Sequence, residues 1–165
     1  MPIAGIDMVR RNHALEHATI ARLLERSVAP PLGGYSLPGG FVVWSKASPT
    51  EVLGAAREAL QLLREGHSDL AVSSYCGTNF VAAALLGGLA AFVAGQGRGL
   101  WPRVRGAAVG FMVASMLSQP VGKFIQRRLT THAEVHGMDI TSARVLKNSP
   151  LSVVWFSTGA SHSTG

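Results

Sequence analysis

The chain has 165 residues, enough for one domain with a real core. Only 15% of them are charged, against roughly 25% in soluble domains, while 47% are hydrophobic, a balance that points to a membrane protein. The net charge of +6 comes without basic stripes interleaved with aromatics, which argues against nucleic acid, and a single cysteine, Cys76, excludes an internal disulfide.

Charge is unevenly spread along the chain. Residues 1–69 carry seven basic and seven acidic side chains; residues 70–122 carry Arg98, Arg103 and Arg105 and no acid. No charge at all occurs between Leu70 and Gly97 or between Gly106 and Gly122. Basic residues flanking apolar runs meet lipid headgroups. The N-terminus does not read as a signal peptide, because Asp7, Arg10, Arg11, Glu16 and Arg22 interrupt any apolar stretch.

The first predicted helix covers residues 9–26, with Asp7 as its cap and Leu15, Ile20, Leu23 and Leu24 as its apolar stripe. Within it stands His13-Ala14-Leu15-Glu16-His17, an H-x-x-E-H pentad. Helical positions i and i+4 share a face, so both imidazoles point one way with Glu16 beside them. Two imidazoles can hold zinc, which polarises a water, and the carboxylate can take that water's proton. Residues 35–37 and 41–44 read as short strands joined in a hairpin at Pro38-Gly39-Gly40. Ser48-Pro49-Thr50-Glu51 is a capping box that starts a second helix, ending near Glu65 before Gly66. Residues 69–72 suggest a further short strand, and His67 a loop.

Two membrane candidates follow, residues 78–96 and 106–122. Thr78 and Asn79 are placed to cap the first. Ala84, Gly88, Ala91 and Gly95, with Gly106 and Gly110, give the small-residue spacing that lets two helices approach closely. Residues 97–105, with Trp101 and Pro102, suit an interfacial link. Beyond Lys123, Arg127 and Arg128, residues 139–147 alternate in part and residues 151–156 read as a closing strand. Residues 161–165 look like a frayed tail.

The predicted fold is α+β: a small α/β domain interrupted by a two-helix transmembrane hairpin. Residues 1–75 form the helix–hairpin–helix part, 76–128 the membrane hairpin, and 129–165 the strands that complete the domain. Such a hairpin returns the chain to the side it left. Cys76 and Asn79 then lie at the same membrane face as His132, Glu134 and His136. If the first helix packs there, His13 and His17 join them. The predicted metal ligands are His13, His17, His132, Glu134 and His136, with Glu16 as catalytic base and Cys76 as a candidate thiolate. Each has a structural alternative. The imidazoles can be solvated or bonded to Glu16, His132 and His136 can sit at a surface helix end, and Cys76 can simply be packed.

Three motifs in order, Arg11-Asn12-His13-Ala14-Leu15-Glu16-His17-Ala18-Thr19, Gly39-Gly40-Phe41, and Cys76-Gly77-Thr78-Asn79 before an apolar run, resemble one family. It is an uncharacterised group of small bacterial membrane proteins with a domain of unknown function. The resemblance covers about residues 9 to 120; it implies a membrane-embedded bacterial protein and supplies no activity. The pentad alone is similar to that of inverted zinc peptidases. Their further acidic ligand has only Glu51, Glu58 and Glu134 as candidates here.

The expected function is therefore an integral membrane protein with a metal site, zinc-dependent in hydrolysis of a peptide if it is an enzyme. The alternative is a non-catalytic anchor or assembly factor. The partners implied are the lipid bilayer and another membrane protein or a membrane-proximal peptide. The expected location is the inner membrane with the soluble part cytoplasmic, since no export signal is visible.

Overall fold

A computed structural model describes residues 5–73, 76–97 and 99–160, without the side chain of Thr78. Among these residues are four α-helices and a four-stranded antiparallel sheet, a mixed α+β fold. The chain forms two units. One joins the chain up to Ser73 to the chain from Leu129 onward, and the other is the insert between them.

In the first unit, helix α1 (Gly5–Glu25) and helix α2 (Pro49–Arg64) pack on one face of the sheet. Strands β1 (Gly33–Leu37), β2 (Gly40–Ser45), β3 (Met138–Asn148) and β4 (Ser152–Ala160) are ordered β1-β2-β4-β3. Alternate residues of the two central strands point at the helices: Phe41, Val43 and Ser45 from β2, and Ser152, Val154 and Phe156 from β4. Phe41 and Phe156 are register partners, stacked with ring centroids 4.8 Å apart. Leu15, Ala18 and Leu23 of α1 and Val52, Ala56, Leu60 and Leu63 of α2 close the core. Burying each large apolar side chain stabilises by about 1.5–3 kcal/mol.

The local signals explain the elements. Ser48 accepts from the Glu51 amide while the Glu51 carboxylate accepts from the Ser48 amide, so the expected capping box is formed, with Pro49 in the first turn. Gly66, at φ +97°, lets the chain leave α2 in a left-handed turn. β1 and β2 turn at Pro38-Gly39, pairing Leu37 with Gly40.

Several expectations are corrected. α1 begins by Gly5, so Asp7 lies inside its first turn rather than capping it; there it faces Arg10 at 3.7 Å and suits the positive helix end. Residues 69–72 are not a strand. Ser68–Ala71 is a 3-10 turn that buries Ala71 and closes its amides locally, Leu70 to His67 and Val72 to Asp69. Residues 132–136 are not a helix end but an irregular connection that ends in a turn, and the His132 amide donates to the Arg10 carbonyl. The partial alternation over residues 139–147 has a cause as well: β3 is an edge strand with register shifts at Ile140/Ser142 and Val145/Lys147, exposed along most of its length. Bulges and cations such as Arg144 and Lys147 keep such an edge from pairing further.

In the insert, helix α3 (Gly77–Ala94) packs against helix α4 (Leu100–Ile125), which widens into a π turn at Gln126–Thr130. Leu100, Trp101 and Pro102 belong to the first turn of α4, where proline's missing N–H costs nothing, and not to a link. The contact stripe is also shifted from its expected place. Gly87, Ala91 and Gly95 face Gly106, Gly110 and Ala114, whereas a Cβ on Gly88 would meet nothing within 4 Å. Leu100–Thr130 is the one helical run among the described residues long and apolar enough to cross a membrane; Asn79–Ala94 is shorter. The predicted tail at residues 161–165, the link residue Arg98 and capping by the Thr78 side chain lie outside the described residues.

Candidate metal centre

Helix α1 carries an unusually polar buried surface: Asn12, Glu16, His17 and Thr19 are all buried. A buried polar group is costly unless it is hydrogen-bonded, so each needs a partner. The partners divide the pentad region into two adjacent i,i+4 stripes.

The first stripe is Asn12 and Glu16, and it faces the sheet. The Asn12 amide donates to the Leu37 carbonyl at 2.7 Å and its oxygen accepts from the Thr158 hydroxyl at 2.7 Å. That one side chain ties α1 to both β1 and β4. The Glu16 carboxylate accepts from the Ser36 hydroxyl at 2.6 Å. A Cβ on Gly34 would come within 2.6 Å of Glu16 Cγ, so the glycine makes the room that the carboxylate occupies. Sequence reading set Glu16 beside the imidazoles; the structure engages it with β1.

The second stripe is His13 and His17. Their rings lie edge to face with centroids 4.3 Å apart. His13 Nδ1–H donates to the Thr130 carbonyl at 3.0 Å, and His17 Nδ1–H to the Ala71 carbonyl at 2.8 Å. A carbonyl can only accept, so each Nδ1 carries the proton. In the neutral ring the lone pair then belongs to Nε2. Metal-binding histidines are fixed in this way, with the remote ring nitrogen bonded to a carbonyl or carboxylate. His17 is buried and His13 partly so.

The other predicted ligands sit elsewhere in the unit. His132 lies between two carboxylates, Nδ1 at 4.0 Å from Asp7 and Nε2 at 3.7 Å from Glu134, whose side chain is 79% exposed. His136 is exposed, and its carbonyl accepts from Arg11 at 3.1 Å. Glu51 belongs to the capping box. Hydrogen bonds from the Ser48 side chain and backbone hold its carboxyl below the ordinary value. Burial alone would push Glu58 up, but Arg26 and Arg22 outweigh it and hold it low. Cys76 is buried and forms no disulfide.

In the insert, Asn79 is not simply a cap: it is buried in α3 and accepts from the Gln126 side-chain amide at 3.0 Å. Gly122 lies so close that any Cβ there would collide with the Asn79 amide. Sequence reasoning missed Ser36, Gly34, Gln126 and the two carbonyls that orient the imidazoles. Only Asn12, inside the first motif, carried a signal.

These observations define a class: an α+β domain with a helical insert and an oriented pair of imidazoles on its first helix. The chain belongs to the family described as a domain of unknown function, DUF6391, whose model matches residues 8–143. It is also similar to an uncharacterized protein of Picosynechococcus sp., 30% identical over 137 residues. The matched part is 74% of this chain and 65% of that relative, so the chain spans just under two thirds of the relative's length. No solved structure matches.

Proposed function

We propose that this is an integral membrane metalloprotein whose α+β unit binds zinc through Nε2 of His13 and Nε2 of His17. One observation carries the reading: both Nδ1 atoms of an i,i+4 pair are committed to backbone carbonyls. That fixes both tautomers and sets two lone-pair nitrogens on neighbouring rings. His13 and His17 offer two imidazoles, and Cys76, with its thiol, is the candidate for a third donor of a kind suited to zinc. Cys76 lies five residues beyond Ala71, whose carbonyl holds His17, so the chain between them spans at most ~17 Å.

In the catalytic form of this proposal the reaction is hydrolysis, probed first with peptide substrates; zinc would supply Lewis-acid activation of water, and Glu16 would be the base that accepts the proton. A second reading is favoured by the bond from Ser36: Glu16 fastens α1 to β1, and the metal site serves a non-catalytic anchor or assembly factor. Elemental analysis of the full chain, purified in detergent without chelator, tests both. The expected result is about one zinc per chain, lost in His13→Ala and His17→Ala and weakened in Cys76→Ser. Glu16→Gln keeps the metal in either reading, but abolishes hydrolysis only in the catalytic one. Folded wild type that stays metal-free after zinc is supplied overturns the metal proposal.

The insert, in the same proposal, crosses the bilayer as a two-helix hairpin, with the α+β unit cytoplasmic. Leu100–Thr130 has spanning length, and only 11% of its most apolar window is buried within the protein, unlike the core helix of a soluble domain. The 18 residues of α3 reach ~27 Å, close to the hydrocarbon thickness. Reporter fusions after Gly99 and at the C-terminus should give opposite sides; the same side for both would exclude the hairpin.

A further inference from the structure

The insert carries a hollow at its tip that neither the metal site nor the spanning helices require. It is an open groove of about 450 Å³ where α3 ends and α4 begins. Ala91, Phe92, Gly95 and Ala107 form an apolar floor, and Gln96 and Arg103 supply its polar groups. Beside it, Arg105 Nε donates to the Ala94 carbonyl at 3.0 Å, which holds a second guanidinium at the same end. Trp101 is 77% exposed in the first turn of α4, the position of an interfacial anchor. That first turn also presents backbone N–H groups, the positive end of a 26-residue helix.

The charge of this region is one-sided. No Asp or Glu occurs anywhere between Asp69 and Glu134, so the insert has no carboxylate of its own for Arg103. A guanidinium prefers a planar, bidentate oxyanion partner, and phosphate is the one a bilayer surface supplies. The apolar floor suits the glycerol and first acyl carbons attached to such a phosphate. The Gln96 amide can donate to headgroup oxygens.

We infer that the hairpin tip binds the phosphodiester headgroup of an anionic phospholipid, with Arg103 on the phosphate and Ala91, Phe92 and Ala107 beneath its glycerol. This rests on the membrane reading of the insert. It commits to a net-negative lipid, because the tip offers cations and no anion to meet the ammonium of a zwitterionic headgroup.

The test uses the full chain in nanodiscs of phosphatidylcholine alone or mixed with phosphatidylglycerol. Thermal unfolding and native mass spectrometry of retained lipid are the readouts. Phosphatidylglycerol should raise the unfolding temperature and be retained. Arg103→Gln should weaken that retention about tenfold, the loss of one charge-assisted contact. Lys123→Gln, which removes the same charge far along α4, should leave retention unchanged. Equal behaviour in the two lipid mixtures, or of Arg103→Gln and wild type, overturns the inference. So does an equal loss in Lys123→Gln, which would indicate general attraction only. Stabilisation by inorganic phosphate in detergent, matching that by lipid, would make this a phosphate-ion site and also overturn it. Release of the protein from membranes by alkaline wash without detergent is a distinct outcome, which sinks the membrane reading itself.

Discussion

The two units of this chain use apolar residues in opposite ways. In the α+β unit, Phe41, Phe156, Leu15 and Leu23 are fully buried in one core. In the insert the order is reversed. Gly87, Ala91, Gly106 and Gly110 lie between the helices, while Phe80, Leu85, Phe92, Phe111 and Met116 point outward, each more than half exposed. The first arrangement is driven by removing apolar area from water. In the bilayer proposed above, the second would have no such drive between its helices and would rest on close backbone approach and van der Waals contact.

The most severe way to break this contrast is to place a large side chain between α3 and α4. A Cβ on Gly110 would fall 2.6 Å from the Gly87 carbonyl oxygen, and that neighbour is backbone. Gly110→Leu should cost at least about 3 kcal/mol and abolish detergent-stable protein. Gly88→Leu, directed to open space, should give wild-type yield. Size-exclusion profiles of the two variants in detergent check this. Equal damage would mean that the interface is not the one described.

The α+β unit should respond in the opposite sense, to loss of volume. Phe156→Ala removes half of the stacked pair with Phe41 and should destabilise by about 3–5 kcal/mol. Phe111→Ala, at 77% exposure, should change detergent-solubilised stability little. Denaturant midpoints for the two variants sharpen the comparison, and similar shifts would contradict it.

Asn12 gives the next effect. Replacing it with Ala removes its bonds to the Leu37 carbonyl and the Thr158 hydroxyl, both only partly buried, at a cost of about 1–2 kcal/mol. Because Asn12 joins α1 to both β1 and β4, hydrogen exchange should quicken at both strands together. Exchange confined to α1 would show that the side chain does not act as that clasp.

What the sequence made legible follows the same division. The capping box, the β1–β2 hairpin, the two apolar helices and the i,i+4 imidazoles all rest on contacts within a few residues, and local spacing encodes those. The contact stripe of α3 was misread because Gly87 and Gly88 are adjacent and equally small, and only the partner helix decides which one faces inward. The edge strand was faint because its bulges break the alternation. The role of Glu16 was hidden for a different reason. Its partner Ser36 is twenty residues away, and the space it needs comes from an absence, the missing side chain of Gly34. Cys76 was legible only as a candidate thiolate, since no local period links the pentad to a distant donor.

The smallest predicted effect concerns pH and lies wholly on the surface of the α+β unit. Glu51 is held below its ordinary value of 4.5, first by the Ser48 hydroxyl and then by the Ser48 amide. Both bonds favour the charged carboxylate, so unfolding raises its pKa and the unfolded chain binds the extra proton. The stabilisation is fully present above the unfolded value and is lost as pH falls through the lower, folded one. Glu51→Gln keeps an acceptor but cannot titrate, so the stability gap between wild type and this variant should be largest near neutrality and shrink below about pH 4.5. Glu58 is also held low, by Arg26 and Arg22, but it is present in both proteins and cancels in the difference. Thermal unfolding of the pair from acidic to neutral pH measures the gap. A gap that stays constant across this range would show that Glu51 contributes through the shape of the cap and not through its charge.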